Sequence, residues 1–355
     1  MLKLSVERAR GLCLESLDML GLAHGQAEAV ADCALFASLR GLDTHGIIGV
    51  LPQVAGNLRR GTILPSAEVE VVGETETTAV LKGSGAPGAV VGTRAMDLAI
   101  AKAKAHGLGA VTAYNSHHFG AASFYPVRAL AQGMVGLTMC NAGANVAPYG
   151  GVRPLHGTNP IAYAVPAGEE PPIVLDVATS AAAHGQIAKA ARHGQPIPLG
   201  WALDADGRPT TDPAQGRILL PFGGHKGYGL GLLVDVLTAA LAGSEIGRSV
   251  DQRNTTPESG GQSLLMLAVD VAHFVRLEAF TSRVDDLIRQ ARATPPAEGF
   301  AEVLVPGDLE RRQEEIRRRE GIPMYPEDWQ AIVGGLERAG LPAAELAARF
   351  GPEEV

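Results

Sequence analysis

The chain lacks most of the features that announce a function directly. Three cysteines in 355 residues (Cys13, Cys33 and Cys140), odd in number and far apart, give neither a disulfide framework nor a thiolate metal site. No H-x-x-x-H or C-x-x-C spacing occurs, so no catalytic metal is expected. Basic residues do not exceed acidic ones. The net charge of −8 has the wrong sign for a nucleic-acid binder. No apolar run approaches the ~18 residues of a membrane span. The stretch Met1 to Arg8 has no apolar core of the signal-peptide kind. The expectation is a cytoplasmic protein with neither a nucleic-acid nor a membrane partner. We read Gly83-Ser84-Gly85-Ala86-Pro87-Gly88 as a turn cluster and find no G-x-G-x-x-G that opens a βαβ unit. A P-loop is missing too, so the ordinary nucleotide-binding readings fail.

What is present is glycine, 44 residues of it, in a chain that is 46% hydrophobic and 19% charged. That composition fits a turn-rich α/β enzyme. Residues 5–60 read as helices. Ser5 caps the first and a second runs from about Ala27 to Leu39. A third carries Ile47, Val50, Leu51, Val54 and Leu58 at helical spacing and stops at Gly61. Pro52 calls for a late start or a kink in that helix. Strands are expected at 68–72, 77–81, 108–113, 134–139, 161–165, 173–177, 263–269 and 302–305, and helices at about 89–105, 119–132, 180–193 and 227–242. The last helix is apolar nearly all round and should be buried. Ser244 to Gln262 reads as a mobile loop, and the tail from Asp308 as charged helices. The order is helical, then α/β, then helical, and the two helical ends can pack as one unit.

Five stretches can carry chemistry. Arg40-Gly41-Leu42-Asp43-Thr44-His45-Gly46 is a helix junction holding a histidine, the side chain suited to proton exchange near neutral pH. Asn115-Ser116-His117-His118-Phe119-Gly120-Ala121-Ala122 joins a strand to a helix, where free amides favour anions. Neighbouring side chains on extended backbone point opposite ways, so one of His117 and His118 is structural. Gly157-Thr158-Asn159-Pro160 is a tight turn. Asp176-Val177-Ala178-Thr179-Ser180, running on to His184-Gly185, is a strand end. Phe222-Gly223-Gly224-His225-Lys226-Gly227 sets a lysine beside a helix start. Taken singly, each is also an ordinary turn. Two or three anion-ready junctions in one chain suggest a phosphate-bearing cofactor.

Together the five stretches resemble the malate/L-lactate (L-sulfolactate) dehydrogenase-like oxidoreductases, over nearly the whole chain. The resemblance implies a non-Rossmann, L-sulfolactate dehydrogenase-like α/β fold. A mixed-sheet domain (67–306) for cofactor and catalysis would be inserted into a helical domain (1–66 plus 307–355). It further implies a homodimer and hydride transfer with NAD(P)H, with NADH versus NADPH left open. By position, His118, Phe119, Gly120, Ala121, Ala122, Asp176, Ala178, Thr179, Lys226, Pro306, Gly307 and Asp308 match cofactor-contacting segments, and Arg312 is offered for a 2′-phosphate. Thr44 and His45 match a proton-relay pair, with His118 the rival proton acceptor. Thr158, His184 and Gly185 match substrate positions.

The nearest branch resembles the Δ1-piperideine-2-carboxylate/Δ1-pyrroline-2-carboxylate reductases, through the paired histidines, Ala183-His184-Gly185 and Pro221 to Gly227. The main expectation is therefore reduction of a cyclic C=N or a C=O. A malate/lactate-type 2-hydroxy-acid dehydrogenase is the alternative, and a cofactor-binding protein without catalysis is the rival of another class. Gln186 matches neither the lysine of hydroxy-acid members nor the aspartate of the imine branch. Two substrate positions depart further. The family arginine four residues after His45 is here Gly49, and a following tyrosine is Gln53. The substrate side is thus expected to have lost a cation and gained space, with Arg40, Arg59 or Arg153 as candidate replacements.

Overall fold

The computed structural model describes residues 2–250, 256–258 and 261–354. Strand β1 (Leu2–Leu4) leads into α1 (Val6–Met19), where the Ser5 hydroxyl accepts from the Arg8 N–H at 3.2 Å, the expected N-cap. Helix α2 (His24–Leu39) follows. A single 3-10 turn, Asp43–His45, then turns the chain into α3 (Ile47–Arg60). Helix α3 buries the stripe Ile47, Val50, Leu51, Val54 and Leu58, carries Pro52 inside it, and ends at Gly61 in the left-handed conformation. Glycine fits that cap because it lacks the Cβ that makes the conformation costly.

Beyond it lie β2 (Glu70–Glu74), β3 (Thr78–Lys82), α4 (Gly88–His106), β4 (Leu108–Ser116), α5 (Pro126–Leu130), β5 (Met134–Cys140), β6 (Ile161–Val165), β7 (Ile173–Val177) and α6 (His184–Arg192). A small sheet of β8 (Ala202–Leu203), β9 (Pro209–Thr210) and β10 (Ile218–Leu219) comes next, then α7 (His225–Asp235), β11 (Gln262–Asp270) and α8 (Leu277–Ala293). The tail is α9 (Asp308–Glu320), β12 (Ile322–Met324), α10 (Pro326–Arg338), α11 (Ala343–Phe350) and β13 (Glu353–Glu354). Seven strands form one mixed sheet, ordered β2-β3-β4-β11-β5-β6-β7, in which only β3 and β4 are parallel. At the chain ends, β1 lies between β12 and β13, and the floor of α3 meets α10, where Gly335 faces Pro52. One contiguous core runs from α1, α2 and α3 through α4 to the sheet.

Several expectations need correction. The helix expected at 119–132 is a 3-10 turn (Ala122–Phe124) followed by α5, with Pro126 at the first position of α5, where its missing N–H leaves no helical hydrogen bond unmade. The helix of 180–193 begins only at His184. No strand forms at 302–305; the Val305 N–H is taken by the Asp308 carboxylate at 2.9 Å, which closes a turn. The 227–242 helix exists as α7 continued by a π-turn (Val236–Ala240), but it is not buried. Leu233, Val236 and Leu241 are 43%, 56% and 60% exposed. Within Ser244–Gln262, Gly247–Ser249 is a 3-10 turn, and 251–255 and 259–260 lie outside the described residues, so the mobile-loop expectation is not addressed there.

The glycine cluster 83–88 also does more than turn. It follows β3 and opens α4, whose far end returns in β4 parallel to β3, so its spacing does match G-x-G-x-x-G in a βαβ unit. The turn is nevertheless closed by protein. A Cβ on Gly83 would lie 2.4 Å from the Asn115 carbonyl oxygen, and one on Gly88 would lie 2.1 Å from that of His117. These glycines admit the 115–118 backbone where a dinucleotide-binding turn would admit a pyrophosphate.

Candidate active site

The functional stretches converge at one edge of the sheet. Strand β4 ends into His117 and His118, and β7 ends into Ala178–Ser180. The Gly157–Pro160 turn enters β6 at the same edge, and β11 begins there. Antiparallel neighbours bring starts and ends of strands together, so residues distant in sequence share one rim.

At that rim His45 and His118 are stacked, with ring centroids 5.4 Å apart and an interplanar angle of 24°. His117 points the other way: it is buried, and its Nε2 lies 2.7 Å from the Thr62 carbonyl oxygen. It is the structural member of the pair. His45 Nδ1 is 3.0 Å from Thr44 Oγ1. The Gly120 N–H donates to His118 Nδ1 at 3.2 Å. A backbone N–H can only donate, so Nδ1 of His118 accepts, and the neutral ring carries its proton on Nε2. Gly120 reaches this position at φ +83°, where a Cβ would lie 2.4 Å from Cys33 Sγ. Burial, together with the neighbouring His45, pushes the His118 pKa down to about 3. Burial also lowers that of His45, opposed by the Asp176 carboxylate. Both rings are therefore neutral at pH 7.

The surrounding residues hold this pair. Asp176 accepts from the Ser123 N–H at 2.8 Å and from its hydroxyl at 2.7 Å, which ties the end of β7 to the 3-10 turn after His118. The Thr158 carbonyl accepts from the N–H and the hydroxyl of Thr179, at 2.8 and 3.0 Å. Phe119, Ala121 and Ala122 are buried beneath them. Asp43 does not reach the histidine. Its carboxylate pairs with Arg317 of α9 at 2.5 Å, and Arg317 also donates to the Ser38 carbonyl oxygen. That contact was not legible in the sequence, where the tail from Asp308 reads only as charged helices.

A family model described as Malate/L-lactate dehydrogenase matches residues 4–333. The L-sulfolactate dehydrogenase of Methanothermobacter thermautotrophicus is 38% identical over 335 residues, 94% of this chain and 96% of that one. The chain belongs to the malate/L-lactate dehydrogenase family. The solved sulfolactate dehydrogenase of Methanocaldococcus jannaschii superposes with a TM-score of 0.89 at 38% identity, over 97% of this chain and 99% of that one. The Δ1-piperideine-2-carboxylate reductase of Pseudomonas syringae pv. tomato does so with a TM-score of 0.81 at 29% identity, over 94% and 99%. Among relatives whose names state a cofactor, an Escherichia coli ureidoglycolate dehydrogenase carries NAD(+), and a Chromohalobacter salexigens sulfolactate dehydrogenase carries NADP(+). The protein is an oxidoreductase with the non-Rossmann mixed-sheet fold of these dehydrogenases.

Against the family pattern, the substrate side shows one reversal. The space expected at Gly49 is not there. A Cβ at 49 would lie 2.4 Å from the Thr44 carbonyl oxygen, so the backbone of the catalytic turn fills the place where a side chain would begin. Gly49→Ala should therefore lower kcat by displacing Thr44 and His45, and it should lower the denaturant midpoint as well, since the atom in the way is backbone. Unchanged kinetics in that variant would show the turn to be tolerant. Gln53 is exposed one turn further along α3. Gly185 abuts Thr44, its Cβ position 2.8 Å from Thr44 Cγ2, and this brings His184 and the start of α6 to the rim.

Of the replacement cations, Arg40 is committed to Glu314 at 3.0 Å and lies over the Phe36 ring, while Arg59 sits at the far end of α3. Arg153 is exposed. Arg312 is not an open cation for a 2′-phosphate, because it holds both Glu302 oxygens at 2.6 and 2.8 Å. The Pro306 carbonyl accepts from the Val174 N–H, which seats Pro306-Gly307-Asp308 against β7, and Asp308 is buried and paired with Arg292. Lys226 is exposed at the start of α7, with no carboxylate in ion-pair range among the described residues. The turn before it packs on the end of β7, since a Cβ on Gly227 would lie 2.6 Å from the Thr179 carbonyl oxygen. An unpaired ammonium beside an 11-residue helix start and a strand end is suited to a diphosphate, so the residues present fit a nicotinamide dinucleotide.

Proposed function

We propose that the protein is an NAD(P)-dependent dehydrogenase that interconverts a small 2-hydroxy acid and its 2-oxo acid, with His45 as the proton carrier. The observation that carries this is the stacked pair of neutral imidazoles with opposite roles. In His118 the Gly120 N–H occupies Nδ1, leaving a proton on Nε2 for donation to a substrate oxygen. In His45 the Nδ1–H can donate to Thr44 Oγ1, leaving Nε2 as a base for the hydroxyl proton. The bound cofactor supplies the hydride acceptor or donor. Lys226 and the Asp176–Thr179 segment are the residues proposed to orient it. His184, Gly185 and Thr158 are proposed to line the substrate, and Gly49 to keep Thr44 close.

Reduction of a cyclic C=N is a second reading. It is favoured by the paired histidines and by the likeness to the piperideine-carboxylate reductase fold. Parallel assays of 2-oxo acids (oxaloacetate, pyruvate, sulfopyruvate) and cyclic imino acids, each with NADH and NADPH, separate the two. Turnover of oxo acids alone is expected; turnover of imino acids alone replaces the first reading with the second.

We also propose a cytoplasmic homodimer, and a division into a helical unit (1–66 plus 307–355) and an α/β unit (67–306). The division is supported by β1 pairing with β12 and β13. The dimer is supported by the exposed apolar row of α7 and the π-turn, Leu230, Leu233, Val236 and Leu241. Contiguous apolar surface of this kind marks an interaction site. Light scattering should give twice the chain mass for the wild type and a shift toward the monomer for Leu233→Asp/Val236→Asp. A monomeric wild type rules the dimer out.

A further inference from the structure

Helices α3 and α10 meet along their middles, where Gly335 lets the Pro52 ring approach; a Cβ there would lie 2.5 Å from Pro52 Cβ. Beside this contact lies a cleft of about 370 Å³. Its walls carry Arg59 and Arg60 from α3 and Arg338 from α10, with Gln53 the other polar side chain and no carboxylate. Gly56 keeps the floor open, its Cβ position 3.3 Å from Arg60 Nη1. Arg60 is held in place by Asn57 Oδ1 at 2.5 Å, a neutral partner. Neither Arg59 nor Arg338 has a carboxylate in ion-pair range among the described residues. Several arginines elsewhere are ion-paired, as in Arg128–Asp97, Arg292–Glu170, Arg312–Glu302 and Arg318–Glu314, and others such as Arg94 and Arg283 stand singly on the surface; the cleft brings three together in one concavity.

Two helix C-termini contribute roughly half a negative charge each, so three guanidinium groups leave a surplus of about two positive charges. That surplus sits in a concave site, on a chain whose overall charge is −8. Guanidinium forks pair best with planar or tetrahedral oxyanions, which they grip with two parallel hydrogen bonds.

We propose that the cleft between α3 and α10 is a binding site for a small polyanion carrying two or more charges, separate from the His45–His118 site. Pyrophosphate and citrate represent the two chemical sources, phosphoryl and polycarboxylate. Calorimetric titration of the intact protein at low salt should give saturable binding of at least one of them, with Kd of about 1 mM or tighter. Arg338→Gln and Arg59→Gln should each weaken it about 10- to 100-fold, the worth of a hydrogen bond between charged groups. Added sodium chloride should weaken it too. Both side chains are exposed, so the variants should keep the wild-type melting temperature, which is measured alongside. Pyrophosphate binding alone assigns the site to phosphoryl compounds, and citrate binding alone to carboxylates. No saturable binding of either, or binding unchanged in the Arg59→Gln/Arg338→Gln double variant, overturns the proposal. The titration is read without turnover, so it stands or falls independently of the dehydrogenase reading.

Discussion

His45→Ala should lower kcat by roughly 10²- to 10⁴-fold, the usual worth of a positioned general acid–base group. NAD(P)H binding, followed by quenching of the dinucleotide fluorescence, should be little changed. The choice of His45 over His118 rests on which ring nitrogen is already spoken for. His118 would have to take a proton at Nδ1, where the Gly120 N–H points. Among the described residues His45 has no hydrogen-bond partner at Nε2, and at Nδ1 it has a hydroxyl able to accept from the ring.

The pH profile adds a second readout. Burial lowers the His45 pKa below its ordinary 6.5. The acid limb of the oxidation rate should therefore lie below pH 6.5 and vanish in the alanine variant. A normal kcat in His45→Ala, with the limb intact, would transfer the role to His118. The same depression bears on stability. His45, His117 and His118 resist protonation when folded, whereas in the unfolded chain they protonate as pH falls through 6.5. Unfolding then binds protons, so the stability these neutral rings confer is present above pH 6.5 and is lost progressively below it.

Arg317→Ala is the second large effect. Arg317 is 7% exposed, and its guanidinium joins both Asp43 oxygens and the Ser38 carbonyl oxygen. Its loss leaves the Ser38 carbonyl and half-exposed Asp43 without their charged donor. A hydrogen bond to a charged group is worth about 1.5–3 kcal/mol, and the destabilisation should fall in that range. Asp43 directly precedes Thr44 and His45, so the catalytic turn should loosen as well, with a fall in kcat and little change in cofactor affinity. Arg317→Lys keeps the charge but cannot fork across the carboxylate and a carbonyl together, so it should recover only part of both losses. Equal denaturant midpoints and equal kcat for wild type and Arg317→Ala would remove α9 from the support of the site.

Much of the architecture was legible because it is local. The Ser5 cap, the α3 stripe, the stop at Gly61 and the approximate places of β3 to β7 each follow from a few neighbouring residues. The failures have particular causes. Pro126 was passed over inside an apolar run. Helix α8 shows Leu277, Phe280, Val284 and Ile288 at helical spacing, a signal that its many charges masked. Helix α7 was judged by hydrophobicity alone, which cannot say whether an apolar face meets its own core or another surface. The spacing of Gly83, Gly85 and Gly88 was legible, yet only the structure shows that backbone fills the turn. At the site, motifs located both histidines. Their division of labour depends on one N–H from Gly120, the Arg317 clamp on a helix more than 270 residues away in sequence, and the closure at Gly49 on the direction of the Thr44 carbonyl.

The pairing of β1 with β12 and β13 sets an order of events during synthesis. Leu2–Leu4 leaves the ribosome long before Ile322–Met324 and can pair with that strand only once it has emerged. Until then α1, α2 and α3 lack both the edge that fixes β1 and the α10 face that covers α3. The helical layer beside the catalytic turn is thus among the last parts of the molecule to become rigid, because closing so long a loop has to precede it. Truncation even a short way into the C-terminal helices should leave a chain that holds its sheet but exposes the face of α3 that α10 covers, and that face becomes open to chaperones and proteases.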